Sequence, residues 1–354
     1  MSLPELKGCS PDALRERFRE RGLPGYRADQ VATWIYRRGV EDPAAMTDLP
    51  RELRESLGRE WRLRSLKRVD TQHSADGTRK LVLRADDGAR VEAVLIPEEG
   101  RTTLCVSTQV GCPLACAFCA TGTLGLRRNL RVAEIIDQLS CAAELLPEPQ
   151  RITNLVFMGM GEPLLNLPNV VEAVRTLIHP RGFGLAPRRV TVSTAGVVPK
   201  IGPLLEAVPV NLAVSLHAAS DRLRDRLVPL NRRFPLARLM QTLRALPRIS
   251  RRHPVFFEYT LIAGVNDGVA DARDLAQLLR GLPSKVNLIP MNPHEGSDLT
   301  APPPEVALRF LDELVRQGVT TTLRRSRGAD IDAACGQLAG RDPEPPSATA
   351  AEGR

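Results

Sequence analysis

Lysine is scarce in this 354-residue chain: of 49 basic side chains only Lys7, Lys67, Lys80, Lys200 and Lys285 are lysine. The rest of the positive charge is arginine, whose planar fork grips phosphate well. GC-rich coding, which also supplies alanine and proline, produces the same bias, so arginine content alone names no partner. The net charge of +8 suits a polyanion without establishing one. Aromatic residues make up only 4%, which excludes a broad base-stacking platform. No run approaches 18 uninterrupted apolar residues, so no membrane-spanning helix is expected. The start, MSLPELKGCSPDALRERF, has neither an apolar centre nor a small-residue cleavage site. That predicts a cytoplasmic protein whose seven cysteines stay reduced and are not structural disulfides. Apolar content of 43% and charged content of 25% are ordinary for a globular chain of one large or two smaller domains.

What is present is ordered along the chain. Residues 1–64 read as a helical unit, with Val31, Trp34 and Ile35 at helical spacing in RADQVATWIYRR and a second short helix over Pro50–Leu57. Residues 65–101 hold a hairpin: KLVLRA and ARVEAVLI alternate on either side of Asp87-Gly88. From 102 to 340 short apolar runs alternate with amphipathic stretches. Strands are expected at Asn154–Met158, Arg189–Ser193, Asn211–Ser215, Val255–Leu261, Val286–Pro290 and Thr320–Leu323. Helices are expected at Val132–Leu146, Asn169–Ile178, Leu236–Leu246, Val269–Leu279 and Pro304–Gln317. This β-α order predicts an α/β fold with a parallel sheet, open or curled into a barrel, and function on the loops after the strands. Residues 341–354 (RDPEPPSATAAEGR) are expected to be a disordered tail.

Four of the seven cysteines fall between positions 105 and 119. Cys112, Cys116 and Cys119 form C-x3-C-x2-C, three soft thiolates able to hold three irons of a [4Fe–4S] cluster while leaving one iron open. A tetrahedral zinc site would want a fourth Cys or His at suitable spacing, and none is there.

With Phe118 just before its last cysteine, this motif resembles the radical S-adenosylmethionine enzymes. Six segments then resemble the RlmN/Cfr family of RNA adenine methyltransferases. They are Cys105–Asn129, Met158–Leu164 (MGMGEPL), Val192–Gly196 (VSTAG), Ser215–His217, Pro290–Gly296 (PMNPHEG) and Arg327–Leu338 (RGADIDAACGQL). The stretch GYRADQVATWIYRRGVEDPAAMTDLP is similar to that family's accessory domain.

The resemblance implies a partial (β/α)6 barrel with a helical accessory domain that binds RNA and a β-hairpin extension. It implies one [4Fe–4S] cluster on Cys112, Cys116 and Cys119, and two S-adenosylmethionine molecules consumed per methylation. Gly161, Glu162, Ser193, Ser215, Leu216, His217 and Asn292 match cofactor-contacting positions. Cys335 would carry the methyl group as S-methylcysteine, Cys105 would resolve the RNA adduct through a transient disulfide with Cys335, and Glu92 would accept the proton. The implied targets are C2 of adenine 2503 in 23S rRNA and C2 of adenine 37 in tRNA. A flavodoxin-like external reductant is implied, and a monomer is the default. Arg127, Arg128, Arg324, Arg325 and Arg327 are candidates for a basic rim facing RNA.

Other readings stay open from the residues alone. Cys105 also reads as a small apolar strand residue, Glu92 as the solvent side of a strand, and His217 as a satisfied barrel histidine. C8 methylation of the same rRNA adenine, a radical enzyme with a non-RNA substrate, and a non-catalytic metal-containing RNA-binding module are the rival functions.

Overall fold

The computed structural model describes residues 3–340; the tail expected after Gly340 lies outside them. In chain order the strands are β1 (Leu66–His73), β2 (Arg79–Ala85), β3 (Arg90–Glu98), β4 (Arg101–Cys105), β5 (Gln109–Cys112) and β6 (Gly125–Asn129). They continue with β7 (Asn154–Phe157), β8 (Val190–Thr194), β9 (Asn211–Ser215), β10 (Val255–Leu261), β11 (Ser284–Pro290) and β12 (Thr321–Leu323). Ten of them form one sheet in the order β1-β2-β3-β4-β7-β8-β9-β10-β11-β12, while β5 and β6 pair with each other. Pairing is antiparallel from β1 to β4 and parallel from β4 to β12. Phe157 on β7 and Ile289 on β11 line one cavity, so the parallel run curls into part of a barrel.

The elements follow from their residues. β9 (NLAVS) and β10 (VFFEYTL) are rich in apolar and β-favouring side chains and are buried along nearly their whole length, as parallel strands covered on both faces require. Outside them, the helix Pro304–Arg316 buries Ala307, Phe310 and Leu314, a stripe at spacings of three and four. Phe310 meets Tyr259 of β10 with ring centroids 5.3 Å apart.

Two local features depart from expectation. The hairpin at Asp87-Gly88 is part of a four-stranded antiparallel unit: β4 pairs with β3, and β1 (LKRVDTQH) pairs with β2 although it has no apolar alternation. β1 is the edge of the sheet and only Leu66 in it is buried, so burial imposes little pattern on it. The helix expected over 27–38 is regular only over Gly25–Ala32 and then widens into a π turn at Thr33–Arg37. The widened turn accompanies a buried Tyr36, whose hydroxyl donates to the Cys9 carbonyl at 2.6 Å.

A buried ionic cluster joins the N-terminal helices to the barrel. Lys7, 1% exposed, donates to Asp137 at 2.7 Å, Glu41 at 2.9 Å and Ser140 at 3.1 Å. Burial works against the Lys7 ammonium, but Asp137 and Glu41 outweigh it and hold its pKa above the ordinary lysine value. The second Asp137 oxygen accepts from the Ser65 and Leu66 amides.

Candidate active site at the strand ends

The cavity sits where β7 to β11 end, with a volume of about 140 Å³. One wall is the cysteine loop. Cys112 closes β5, and the chain then turns through Ala115, which has a left-handed φ of 51°. The Ala117 amide donates to the Leu227 carbonyl at 3.0 Å and the Cys119 amide to the Cys116 carbonyl at 3.2 Å. All three thiols line the cavity. Burial pushes Cys112 up to about 12 and Cys116 higher still, so without a cation these are neutral thiols. A bound metal centre reverses that and makes the thiolates favourable. Among the described residues no three His, Cys, Asp or Glu side chains converge as ligands of one ion. A cubic iron–sulfur cluster takes one thiolate per iron corner and so spreads its ligands. The donor set fits such a cluster.

Facing the cysteines is the loop after β7. Gly161 has φ +97°, and a Cβ there would lie 2.5 Å from the Gln109 side chain; only glycine lets the loop pass this close. The Glu162 carboxylate is buried and engaged within the protein, accepting from the Leu164 amide at 3.0 Å and the Ala195 amide at 2.7 Å. Burial lifts it to about 7, against those amide bonds. Ser193 and Ser215, at the ends of β8 and β9, bring their hydroxyl oxygens within 3.5 Å of each other.

His217 completes this side in a left-handed conformation, φ 59°. Asn266 holds its carbonyl at 2.8 Å, and the Thr260 amide donates to Nδ1 at 3.0 Å. Burial pushes its pKa down to about 3, helped by nearby Arg224. The ring is therefore neutral with its proton on Nε2, and that buried Nε2 has no partner among the described residues. Phe118 packs against it, centroids 4.3 Å apart.

The C-terminal segment forms the last wall. Ala120 donates to the Gly336 carbonyl at 2.7 Å and Thr121 to the Leu338 carbonyl at 2.5 Å, clasping the segment to the cysteine loop. Cys335 lines the cavity, and the surface it exposes opens there. Its crowded surroundings push the thiol up, and Glu258 adds to the effect. Cys105, buried at the end of β4, has its thiol pushed up by burial, with a smaller contribution from the charge of Cys335. Both are free thiols.

Four matched residues lie off the cavity wall: Cys105 and three more. Asn292 donates to the Cys335 carbonyl at 3.1 Å and accepts from the Ser326 hydroxyl, so it holds the segment that bears Cys335. Leu216 is wholly buried, with its amide bonded to the Glu258 carbonyl at 3.0 Å and its own carbonyl to Arg224 at 3.0 Å. Glu92 is buried under the C-terminal segment, 3.8 Å from Lys80, and accepts from the Ala339 amide at 2.9 Å. Arg128 of the basic rim is engaged with Asp87 at 2.7 Å and Glu134 at 2.9 Å.

Two residues escape sequence reasoning. Arg224, fully buried, binds the carbonyls of Ala195 at 2.7 Å, Ser215 at 3.1 Å and Leu216 at 3.0 Å. It thereby pins the ends of β8 and β9 under the cavity. Nothing separates it from Arg222 and Arg226 in DRLRDRL. Glu258 lines the cavity from β10; an acid inside VFFEYTL is the one available signal.

Known proteins resemble this chain throughout its length. The Radical SAM superfamily model matches residues 106–279, and the Ribosomal RNA large subunit methyltransferase N-terminal domain model matches residues 4–62. The Dual-specificity RNA methyltransferase RlmN of Geobacter sulfurreducens is 48% identical over 337 residues, covering 95% of this chain and 92% of that protein. The protein of the same name from Marinobacter nauticus is 48% identical over 341 residues, with 95% and 92% covered. The crystal structure of a radical SAM methyltransferase from Sphaerobacter thermophilus superposes with a TM-score of 0.90 at 44% identity, over 96% of this chain and all of that one.

Proposed function

This chain belongs to the RlmN family of radical S-adenosylmethionine RNA methyltransferases, and from that premise we propose that it methylates C2 of adenine in two RNAs. The targets are adenine 2503 of 23S rRNA and adenine 37 of tRNA. The observation that carries this reading is Cys335 in the wall of the same cavity that the three-cysteine loop lines, with Cys105 at the end of β4 as the further thiol. A radical enzyme acting on a small metabolite has no need of that second thiol pair.

Cys112, Cys116 and Cys119 would hold the iron–sulfur cluster of the radical SAM domain, one [4Fe–4S] per chain. When bound, it supplies the electron that cleaves S-adenosylmethionine to a hydrogen-abstracting radical. The remaining chemistry falls to this chain. The Cys335 thiolate takes a methyl group from a first S-adenosylmethionine, which leaves as S-adenosylhomocysteine; the S-methyl group then gives up one hydrogen atom to that radical, and its carbon bonds to the electrophilic ring carbon of adenine. Glu92 accepts the ring proton once the Ala339 amide releases its carboxylate. Cys105 attacks the Cys335 sulfur, forming a disulfide as the methylated base leaves; two electrons and two protons, the electrons delivered one at a time by an external donor of flavodoxin type, then return the pair to thiols. The backbone around Gly161, Ser193, Ser215 and His217 orients the cofactor, and Asn292 holds the Cys335 segment. Leu216 contributes through its place in the strand end. The target adenine enters unstacked from its RNA, which residues 1–64 grip by shape and backbone.

The test is mass spectrometry of nucleosides from 23S rRNA and tRNA after anaerobic reaction with reduced enzyme and methyl-labelled S-adenosylmethionine. Label in 2-methyladenosine from both RNAs is expected. Label in 8-methyladenosine would reassign the carbon, and no methyladenosine from an enzyme with its cluster intact would overturn the RNA reading.

A further inference from the structure

We propose that Glu258 is a ligand-binding residue of the cavity: one of its carboxylate oxygens accepts a hydrogen bond from an O–H or N–H donor on the bound S-adenosylmethionine or the substrate adenosine. This rests on the reading that those two molecules share the cavity.

The register places Glu258 directly beside Ser215 on β9 and Asn287 on β11. With Ser193 close to Ser215, polar side chains thus run across four adjacent parallel strands on the barrel wall, positions that apolar side chains ordinarily fill. Glu258 is 4% exposed. Oε1 accepts from the Asn287 amide at 2.8 Å, which fixes the carboxyl plane, while Oε2 is buried without a partner among the described residues. Leaving a buried acceptor unmatched costs about 1–3 kcal/mol, and more if it is charged. Native folds seldom keep such an atom unless something outside the chain completes it. A purely structural contact with Asn287 would need only one oxygen. The group that completes the second must be a donor, and both candidate ligands offer one: ribose hydroxyls on either, and the exocyclic amine of adenine.

Glu258→Gln separates a ligand contact from a structural one. Its side-chain oxygen stays with Asn287, which turns the new amide NH2 toward the cavity, so that donor faces donor. Glu258→Gln and Glu258→Ala, made in the full chain with its cluster and checked for an unchanged unfolding midpoint, are compared with the parent protein in two measurements. One is S-adenosylmethionine affinity by anaerobic calorimetry; the other is kcat/KM for a 23S rRNA fragment at saturating S-adenosylmethionine. Each variant is expected to lose about tenfold or more, the weight of one charge-assisted hydrogen bond. Loss of cofactor affinity assigns the donor to S-adenosylmethionine; loss of kcat/KM with affinity retained assigns it to the nucleotide. A Glu258→Gln protein within about twofold of the parent in both overturns the proposal. A parent protein that binds no S-adenosylmethionine overturns the functional reading itself.

Discussion

At the junction between the N-terminal helices and the barrel, Lys7 is buried with three oxygens around it, and its main partner Asp137 is matched in turn by two backbone amides. In the cavity, His217 Nε2 and Glu258 Oε2 are also buried and have no partner among the described residues. Both regions bear the cost of taking polar groups out of water. At the junction the chain offsets that cost itself, so the charges lock two parts of the molecule together. In the cavity it remains open until a ligand arrives, which converts burial into binding. A saturated polar cluster and an unsaturated one are thus different devices, and mutation should tell them apart.

The largest contrast is expected at the thiols. Cys335→Ala should abolish methyladenosine formation in the nucleoside assay while changing unfolding stability by less than about 1 kcal/mol, because the residue faces the cavity rather than the core. Activity persisting in that variant would remove Cys335 from the chemistry.

The junction should behave in reverse. Lys7→Ala leaves Asp137 buried and uncompensated, and should cost about 3–5 kcal/mol in denaturant unfolding. Replacing both partners with apolar groups, Lys7→Met with Asp137→Leu, should recover most of that. A cost below about 1 kcal/mol for Lys7→Ala would show that the cluster does not hold the two parts together.

The contrast also sorts what the sequence discloses. The cysteine loop, Gly161, and the strands and five expected helices from Val132 onward carry local signals: ligand spacing, a glycine turn, periodicities of 3.6 and 2; the helices Val198–Ala207 and Asp221–Leu227 are additions that the structure makes. The strands at Asn211–Ser215 and Val255–Leu261 and the helix Val269–Leu279 lie at their expected bounds. Lys7 with Asp137, Arg224 under the strand ends and Glu258 beside Asn287 carry none, because each depends on a partner that the fold supplies from a distant segment. β1 is hidden for another reason: an edge strand pairs through its backbone and needs no apolar face. Cys335 is legible only through the resemblance, since an Ala-Ala-Cys-Gly stretch is equally good packing.

A smaller effect should appear in pH dependence. His217 has its folded pKa near 3 against an ordinary 6.5, so below pH 6.5 the unfolded chain takes a proton that the folded chain refuses. Stability therefore falls as pH falls, by about 1.4 kcal/mol per unit, or ~2 kcal/mol by pH 5. Glu162, raised to about 7, acts with the opposite sign, gaining stability as pH falls from 7 toward its unfolded value. The stability difference between the parent and His217→Gln cancels the Glu162 contribution, and it should shift against the parent by ~2 kcal/mol between pH 7 and pH 5. A pH-independent difference would mean that the imidazole is not held neutral.

The smallest effect concerns two adjacent arginines that the sequence cannot rank. Arg128 is bonded to Asp87 and to the buried carboxylate of Glu134, whereas Arg127 makes only a 3.5 Å contact with the Asp87 carbonyl and is exposed. Their charges are therefore not equally free to meet phosphate. Arg127→Ala should lower RNA affinity by about 1 kcal/mol and reduce the slope of log affinity against log salt by about one, as loss of a single phosphate contact does. Arg128→Ala should leave that slope unchanged and instead weaken folding, since it removes one of the two arginines, Arg128 and Arg131, that pair with the buried Glu134 carboxylate. Equal salt slopes in the two variants would mean that Arg128 releases its carboxylates for RNA, and that this part of the surface follows the unsaturated design of the cavity.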